Sequence, residues 1–194
     1  KPLLRDFGEV EQLQVSVKGP GDFVSAADRR AEEILHAELS KARPDYAFLM
    51  EESGAVGPKD AEYRFIIDPL DGTANFLHGI PHWSISIGLE RRGEMVAGVV
   101  FDAVKQEMFY AEKGSGAYMN DRRIRVSGRK ELNMSVAGIS GYMPWHHDYP
   151  AYSDTMQKVV TNFYRYRSMG GMALDLAYVA AGRYDAHVQN DFKL

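Results

Sequence analysis

The sequence predicts a mixed fold in two parts, an α+β part over residues 1–131 and the start of an α/β part over residues 132–194. Two observations predict it. Short runs of alternating hydrophobicity, joined by brief turns, extend from WSISIGLE at 83–90 to RIRV at 123–126, a pattern typical of antiparallel sheet. Beyond these runs, candidate strands alternate with candidate helices, as in parallel sheets whose strands are joined by helical crossovers.

One helix and two strands are predicted ahead of the antiparallel runs. The segment SAADRRAEEILHAELSKA at 25–42 places its alanine, isoleucine and leucine residues at helical spacing. Ser25, followed three residues later by Asp28, has the form of a capping box. The apolar runs YAFLM at 46–50 and YRFII at 63–67 are interpreted as strands.

The second part is predicted to alternate strands and helices. These elements are SVAGIS at 135–140, a helix near 151–160, FYRYRS at 163–168, MALDLAYVAAG at 172–182 and YDAHVQ at 184–189. Gly182 is expected to close the second helix, because glycine readily adopts the left-handed conformation in which many helices end.

Composition restricts the function class. Apolar residues make up 45% and charged residues 26% of the 194 residues, the balance of an ordinary globular protein. A formal charge of −4 without a basic stripe argues against direct nucleic-acid binding. No apolar run approaches the roughly 20 residues of a membrane helix, so no membrane partner is expected. Cysteine is absent, which excludes thiolate metal sites and favours a reducing, cytoplasmic location. Both ends indicate a fragment of a longer protein.

Four acidic residues follow two candidate strands at the point where each is predicted to end. Glu51 and Glu52 follow YAFLM, and Asp68 and Asp71 follow YRFII. If these strands pair, their ends bring several carboxylates to one edge of the sheet. Like charges at such distances are unfavourable unless a cation lies between them. Since the chain offers no thiol and no histidine pair at ligand spacing, the pattern predicts a site for an oxygen-binding cation such as Mg²⁺.

Gly72 and Thr73 follow the second aspartate directly. If a helix begins at Thr73, its first N–H groups face the same edge and attract an anion, phosphate above all. Gly72 would let the backbone approach the anion closely, because glycine has no Cβ. The loop is therefore predicted to hold metal with its side chains and phosphate with its backbone.

Each piece of this pattern also has a purely structural interpretation. Asp71-Gly72 is a common turn pair, and Glu51-Glu52 alone is typical of a solvated loop. Asp28 alone can be a helix cap, and a surface position is expected for His146-His147. Only the conjunction of the acidic pairs with the glycine favours a metal and phosphate site.

The same motifs resemble those of the inositol monophosphatase family of Mg²⁺-dependent, lithium-sensitive phosphatases. EESG at 51–54 and DPLDGTANFLHGIP at 68–81 carry the resemblance. The segment from Ser25 to Asp28 and GMALDLAYVAAGRYDA at 171–186 extend it along nearly the whole chain. The bacterial extragenic-suppressor branch of the family looks most similar. The resemblance implies a layered αβαβα sandwich with the metal site where the two parts meet, a homodimer, and two or three Mg²⁺ ions.

The resemblance also implies roles for individual positions. Those expected to bind metal are Glu51, Asp68, Asp71 and the backbone carbonyl of Leu70. Thr73, hydrogen-bonded to Asp28, would orient the attacking water together with Glu51. Those expected to contact substrate are Asp71, Gly72, Thr73, Gly170, Gly171, Met172 and Gln189. Glu52 and Lys18 would have supporting roles.

The implied reaction is hydrolysis of inositol-1-phosphate, or of a related polyol phosphate, by water and without a phospho-enzyme. Two departures from the family pattern bear on it. The last metal-binding motif of the family, a Trp-Asp pair, would lie just past Leu194, so a chain ending there is expected to bind the second metal weakly. Gln189 stands where the family often has an acidic residue, which leaves the preference for inositol open.

Other functions remain open at this point. Haloacid-dehalogenase phosphatases also carry aspartates after an apolar strand, but two residues apart, whereas Asp68 and Asp71 are three apart with a proline between them. A regulatory role with a partner in transcription or ribosome assembly is the non-enzymatic alternative. It rests on the resemblance, on Arg165 and Arg167, and on the aromatic loop at 141–150. Fructose-1,6-bisphosphate, histidinol phosphate and nucleotide 3′-phosphates are the competing substrates.

Overall fold

A computed structural model gives the structure of the chain and describes residues 1–9, 15–19, 22–141 and 146–189, with backbone alone at 15–19 and 22–25. The helices are α1 Pro2–Phe7, α2 Ala26–Ala42, α3 Thr73–Leu77, α4 Tyr149–Asn162 and α5 Met172–Ala180. The strands are β1 Val15–Gly19, β2 Asp22–Ser25, β3 Ala47–Met50, β4 Gly54–Val56, β5 Tyr63–Asp71, β6 Ser84–Arg91, β7 Glu94–Asp102, β8 Glu107–Glu112, β9 Gly116–Met119, β10 Arg122–Arg123, β11 Val136–Ser140, β12 Arg165–Arg167 and β13 Ala186–Gln189. None of the helices in the described part of the chain is long and apolar enough to cross a membrane.

The largest sheet has eight strands in the order β10-β9-β8-β7-β6-β5-β3-β4. The predicted meander is confirmed, because each strand from β6 to β10 pairs antiparallel with the next. Its last strand lies earlier than predicted, at Arg122–Arg123 rather than over 123–126. β3 and β5 differ: they run parallel, with Met50 opposite Ile67. This pairing had been expected from their order along the chain. It sends the ends of both strands, and the acidic residues there, to the same edge of the sheet.

The second sheet has three parallel strands in the order β12-β11-β13. α4 connects β11 to β12 and α5 connects β12 to β13, which confirms the alternating pattern predicted beyond residue 131. Gly182 follows α5 with φ of 70°, the left-handed conformation that was expected to close this helix.

Helices and sheets alternate in layers. α2 covers one face of the large sheet, where Leu39 packs on the cluster that contains Ile67. α5 covers the other face, with buried Leu174 beside Phe109. Because α5 also contacts β13, it lies between the two sheets. The small sheet is covered on its outer side by α4, through Val159. The order helix, sheet, helix, sheet, helix is the expected αβαβα sandwich.

The connection between the sheets runs from the end of β10 to the start of β11. Asp185, next to β13, fixes it by accepting the backbone N–H of Val136 at 2.7 Å and the Nε–H of Arg129 at 2.7 Å. The boundary predicted near residue 131 falls within this connection and stays a prediction as a division into domains.

β5 is longer than predicted. The sequence interpretation ended this strand at Ile67, where the apolar run YRFII ends. In the structure β5 continues through Pro69 to Asp71, and its register against β6 shifts between Asp68 and Asp71. The missing N–H of Pro69 therefore falls in the irregular stretch, and both aspartates stay on the strand.

Candidate active site

The parallel pairing of β3 with β5 brings Glu51 beside Asp68. The last pair of the register is Met50 with Ile67, and one residue further the N–H of Glu51 donates to the carbonyl of Ile67 at 3.2 Å. Glu51 therefore leaves its strand at the same level as Asp68. This register brings the acidic residues after β3 close to those at the end of β5, as the sequence predicts.

Asp68 lies in an environment that disfavours its charge. Burial, together with the negative charges of Asp71, Glu51 and Asp28, raises the pKa of its carboxyl group to about 8, against a hydrogen bond from the N–H of Leu70 that lowers it. That N–H donates to Oδ1 at 2.9 Å. A buried carboxylate surrounded by carboxylates is stable in its charged form when a cation lies among them.

Asp71 is held by hydrogen bonds from two other segments. The backbone N–H groups of Met172 and Ala173, in the first turn of α5, donate to its Oδ1 and Oδ2 at 3.0 Å each. The hydroxyl of Ser84, at the start of β6, donates to Oδ2 at 3.3 Å. Burial nevertheless raises the pKa of Asp71 to about 6, against these hydrogen bonds, which lower it. A carboxylate offers about four lone-pair sites, so the group can still bind a cation.

Gly72 makes the turn from β5 into α3. Its φ of 89° is left-handed, a conformation that costs a residue with a Cβ about 1–2 kcal/mol. A Cβ at this position would also lie 3.0 Å from the carbonyl oxygen of His82 and 3.3 Å from the Cα of Trp83. The sequence interpretation assigned the need for glycine to the approach of a ligand. The structure shows a different close neighbour, the backbone at 82–83.

Thr73 opens α3 as predicted, but its hydroxyl has a different partner from the one expected. It donates to the carbonyl oxygen of Leu70 at 3.0 Å, whereas a hydrogen bond to Asp28 was expected. The geometry of the β5–α3 turn explains the difference, because Thr73 lies three residues after Leu70 and its side chain folds back on the turn. The first intrahelical hydrogen bond of α3 runs from Phe76 to Gly72. The N–H groups ahead of it have no acceptor within the helix.

Asp28 lies in the first turn of α2 and is buried. Its carboxylate and those of Glu51 and Glu52 lie within 4.8 Å of one another, so α2 adds a third segment to the acidic cluster. The partner expected from the capping box, Ser25, lies outside the described side chains, and so does Lys18.

The sequence interpretation missed Glu32, which holds the turn after β3. Glu32 is buried; its Oε2 accepts the backbone N–H of Glu52 at 2.8 Å, and its other oxygen accepts the hydroxyl of Ser53. The available signal was the four-residue spacing from Asp28, which places both acids on one face of α2.

Asn75 was also missed. It is buried in α3, and its side-chain amide donates to the carbonyl oxygens of His82 at 2.7 Å and Met169 at 2.5 Å. These bonds join the site loop of the first part to the segment that precedes α5. No short-range pattern indicates them, since Met169 is 94 residues away.

The remaining predicted substrate contacts lie on the α5 side. Gly171 is buried and precedes Met172, whose N–H is directed at Asp71, and Gly170 has a left-handed φ of 75°. Gln189 ends β13 opposite Ser140, and its Oε1 lies 3.2 Å from Nε2 of His187. A role for these positions in binding substrate stays a prediction. His147 is exposed, as expected.

The donors of the cluster fit a hard divalent cation. Glu51, Asp68 and Asp71 offer carboxylate oxygens, and the carbonyl of Leu70 has a second lone pair beside the one that accepts from Thr73. Oxygen ligands of this kind suit Mg²⁺, which usually binds one or two carboxylates together with substrate phosphate. The raised pKa of Asp68 is the expected signature of such a site without its cation.

Comparison with known proteins adds an independent line of evidence. Residues 3–193 match the model of the inositol monophosphatase family. The chain is 54% identical over 189 residues to an inositol-1-monophosphatase of Mesorhizobium japonicum, which covers 95% of this chain and 70% of that protein. It is 40% identical over 190 residues to a protein of Pseudomonas aeruginosa named Nus factor SuhB, covering 95% of this chain and 69% of the relative.

Solved structures of similar proteins support the same family. The crystal structure of extragenic suppressor protein suhB from Bartonella henselae superposes with a TM-score of 0.95 at 51% identity, covering 99% of this chain and 74% of that one. The Thermotoga maritima IMPase TM1415 superposes with a TM-score of 0.85 at 36% identity, over 97% and 70% of the two chains. Because the family model matches nearly the whole of this chain, the chain belongs to the inositol monophosphatase family and is a phosphatase.

Proposed function

We propose that the protein is a Mg²⁺-dependent phosphomonoesterase that hydrolyses inositol-1-phosphate, or a closely related polyol phosphate, to the alcohol and inorganic phosphate. The observation that carries the proposal is the convergence of Glu51, Asp68 and Asp71 at the ends of neighbouring parallel strands, where burial and mutual repulsion raise the pKa of Asp68. Relatives named inositol-1-monophosphatase, at 44–54% identity, support inositol-1-phosphate as the first substrate to test.

In this proposal Glu51, Asp68, Asp71 and the Leu70 carbonyl hold two or three Mg²⁺ ions. The bound ions supply positive charge that activates water, neutralises phosphate oxygens and stabilises the departing alkoxide. The Trp-Asp pair expected past Leu194 would complete the second metal position. Glu52 and Lys18 support the cluster.

The side chains and backbone of the chain arrange the reactants. Glu51 accepts a hydrogen bond from the attacking water, and Thr73 fixes the direction of approach. The backbone N–H groups of Gly72 and Thr73 donate to the phosphate, as helix starts commonly do. Water adds to phosphorus, the ester P–O bond breaks, and the proton lost by the water ends on the departing alcohol.

The alcohol would be bound on the α5 side, by Gly170, Gly171, Met172 and Gln189. An amide can accept or donate to hydroxyl groups but lacks the strength of a charged acceptor. Gln189 therefore favours a polyol substrate without demanding one particular ring.

A phosphate-release screen over sugar, polyol and nucleotide phosphates tests this function, using a polypeptide that extends past Leu194. Mg²⁺-dependent release that is highest for inositol-1-phosphate or another polyol monophosphate supports the proposal. Release that persists in EDTA, or a covalent phospho-aspartate trapped during turnover, would contradict it. The same preparation tests two further parts of the proposal: inhibition by Li⁺, and a homodimer by light scattering.

A second candidate function is a regulatory role with a protein partner. Relatives named Nus factor SuhB, at 37–40% identity, favour it, and so does β12, where Arg165, Tyr166 and Arg167 are all exposed. A pull-down from extract with the protein and with its Asp68→Asn variant separates the two roles. Partners captured equally by both would show that binding is independent of catalysis.

A further inference from the structure

A buried polar pair lies directly behind Asp71 and is not used by the proposed mechanism. Nε2 of His82 donates to Oδ1 of Asp175 at 3.0 Å. His82 is 3% exposed and Asp175 is 0% exposed. Polar groups buried to this degree are costly unless they are paired, so the hydrogen bond fixes the two side chains relative to each other.

Asp175 belongs to the helix turn that holds Asp71. Its backbone N–H donates to the carbonyl of Gly171 at 3.0 Å, which closes the first turn of α5, and the N–H groups of Met172 and Ala173 in that turn donate to Asp71. The position of the Asp71 carboxylate therefore depends on the position of this turn.

His82 packs against the same point from the other side. A Cβ on Gly171 would lie 3.1 Å from Cδ2 of His82 and 3.4 Å from Oδ2 of Asp71, so the imidazole and the carboxylate flank one position of the α5 start. The backbone carbonyl of His82 accepts the amide of Asn75 from α3. His82 thus links two helices: its backbone carbonyl contacts α3, and its ring contacts α5.

We propose that His82 and Asp175 are positioning residues for Asp71: their hydrogen bond locks the first turn of α5 against the start of β6, so that two N–H groups present the Asp71 carboxylate to a divalent cation. Neither residue touches metal or substrate in this account. The inference rests on the proposed metal site. Outer partners of metal ligands commonly change metal affinity by 10–100-fold when they are removed.

Asp175 has a second neighbour on β13. Its Oδ2 lies 3.8 Å from Nδ1 of His187, and both atoms are buried without a hydrogen bond. Replacing Asp175 alone would alter both contacts, whereas replacing His82 leaves the contact between Asp175 and His187 in place. His82 is therefore the position to vary first.

The test is a titration with Mn²⁺, with free Mn²⁺ followed by electron paramagnetic resonance, alongside thermal unfolding in EDTA. His82→Phe keeps a ring for the edge contact with Tyr178, whose centroid is 5.8 Å away, but removes the donor. His82→Gln restores an N–H donor. The double variant His82→Phe, Asp175→Leu removes both polar partners, so that no carboxylate is left buried alone. Arg183→Met is the matched control, since Arg183 ties the other end of α5 to Glu107.

The proposal expects His82→Phe to weaken Mn²⁺ binding at least about tenfold, His82→Gln to bind within about threefold of wild type, and Arg183→Met to bind like wild type. It expects the double variant to recover thermal stability while Mn²⁺ binding stays weak. Binding of Mn²⁺ by His82→Phe within about twofold of wild type would overturn this inference and leave the proposed function standing. The same conclusion would follow if the double variant recovered both thermal stability and Mn²⁺ binding. A wild-type protein that binds no Mn²⁺ would overturn the proposed function and the inference with it.

Discussion

Asp71, the last residue of β5, accepts the backbone N–H of Met172, the first residue of α5, at 3.0 Å across 101 residues of sequence. The helix start that meets this aspartate belongs to the second part of the chain, so both parts contribute to one acidic cluster. A positive helix end directed at a carboxylate offsets part of the repulsion from neighbouring carboxylates. A bound cation would neutralise the repulsion between carboxylates that remains.

The Asp68→Asn variant should lose catalysis and keep its fold. Asparagine preserves the acceptor for the N–H of Leu70 but removes the charge that binds metal. Because metal-ion catalysis is worth several kcal/mol, kcat/KM should fall by about a thousandfold or more. Thermal unfolding in EDTA should be unchanged or shifted upward, since a neutral amide replaces a buried carboxyl group whose ionisation the neighbouring carboxylates oppose. Near-normal turnover in this variant would contradict the assignment.

The stability of the metal-free protein should fall as pH rises. The folded-state pKa values of Asp71, about 6, and Asp68, about 8, lie above the ordinary value of 3.8 for an aspartate, so the folded state holds protons that the unfolded state has released. Their stabilising contribution is complete below pH 3.8 and is lost as pH rises to about 8. The slope is at most about 1.4 kcal/mol per pH unit for each proton.

Urea unfolding in EDTA between pH 5 and pH 8 measures this slope, with Asp68→Asn as the matched variant. The variant should show a flatter dependence than wild type between pH 6 and pH 8. Added Mg²⁺ should stabilise wild type more at pH 8 than at pH 6, because a cation competes with the protons. Equal slopes for wild type and variant would show that Asp68 has no raised pKa.

Gly72→Ala should destabilise the protein more than alanine at an unobstructed left-handed glycine. Gly93 is the matched control: its φ of 84° is similar, but a Cβ there meets nothing within 4 Å. Gly93→Ala should cost about 1–2 kcal/mol from the backbone alone. Gly72→Ala should cost about 1–3 kcal/mol more, because the new Cβ also presses on the His82 carbonyl. Equal unfolding free energies in urea for the two variants would rule out this second contribution.

Glu32→Ala should weaken metal binding through the turn that carries Glu51. Without its buried carboxylate the N–H of Glu52 and the hydroxyl of Ser53 lose their acceptor, so the turn that carries Glu51 is held less firmly. Mn²⁺ affinity should fall about tenfold, with Glu32→Gln less affected. Glu33→Ala, at an exposed position of the same helix, is the control and should bind like wild type. A Glu32→Ala variant with unchanged affinity would show that the turn is held by other contacts.

The sequence predicts the parts of this site that depend on local order along the chain. Acidic residues that follow two successive apolar strands meet when the strands run parallel, and β3 and β5 do. Hydrogen bonds between distant segments cannot be predicted in this way. The pairs Asp71 with Met172, Asn75 with Met169 and His82 with Asp175 form because α5 packs against the large sheet.

The errors of the sequence interpretation have local causes. The end of β5 was placed too early because the apolar run ends at Ile67, whereas the strand continues through Asp68 and a shift of register accommodates the missing N–H of Pro69. The partner of Thr73 was inferred from the family resemblance. In the structure its hydroxyl donates instead to the Leu70 carbonyl of its own turn.

Anomalous diffraction from crystals soaked in Mn²⁺ tests the central claim most directly, since it locates the cation without relying on turnover. The account predicts a peak bonded to oxygens of Glu51 and Asp68, and a second near Asp71. Soaked crystals with no peak at this cluster, or with these carboxylates paired to lysine or arginine side chains instead, would contradict it.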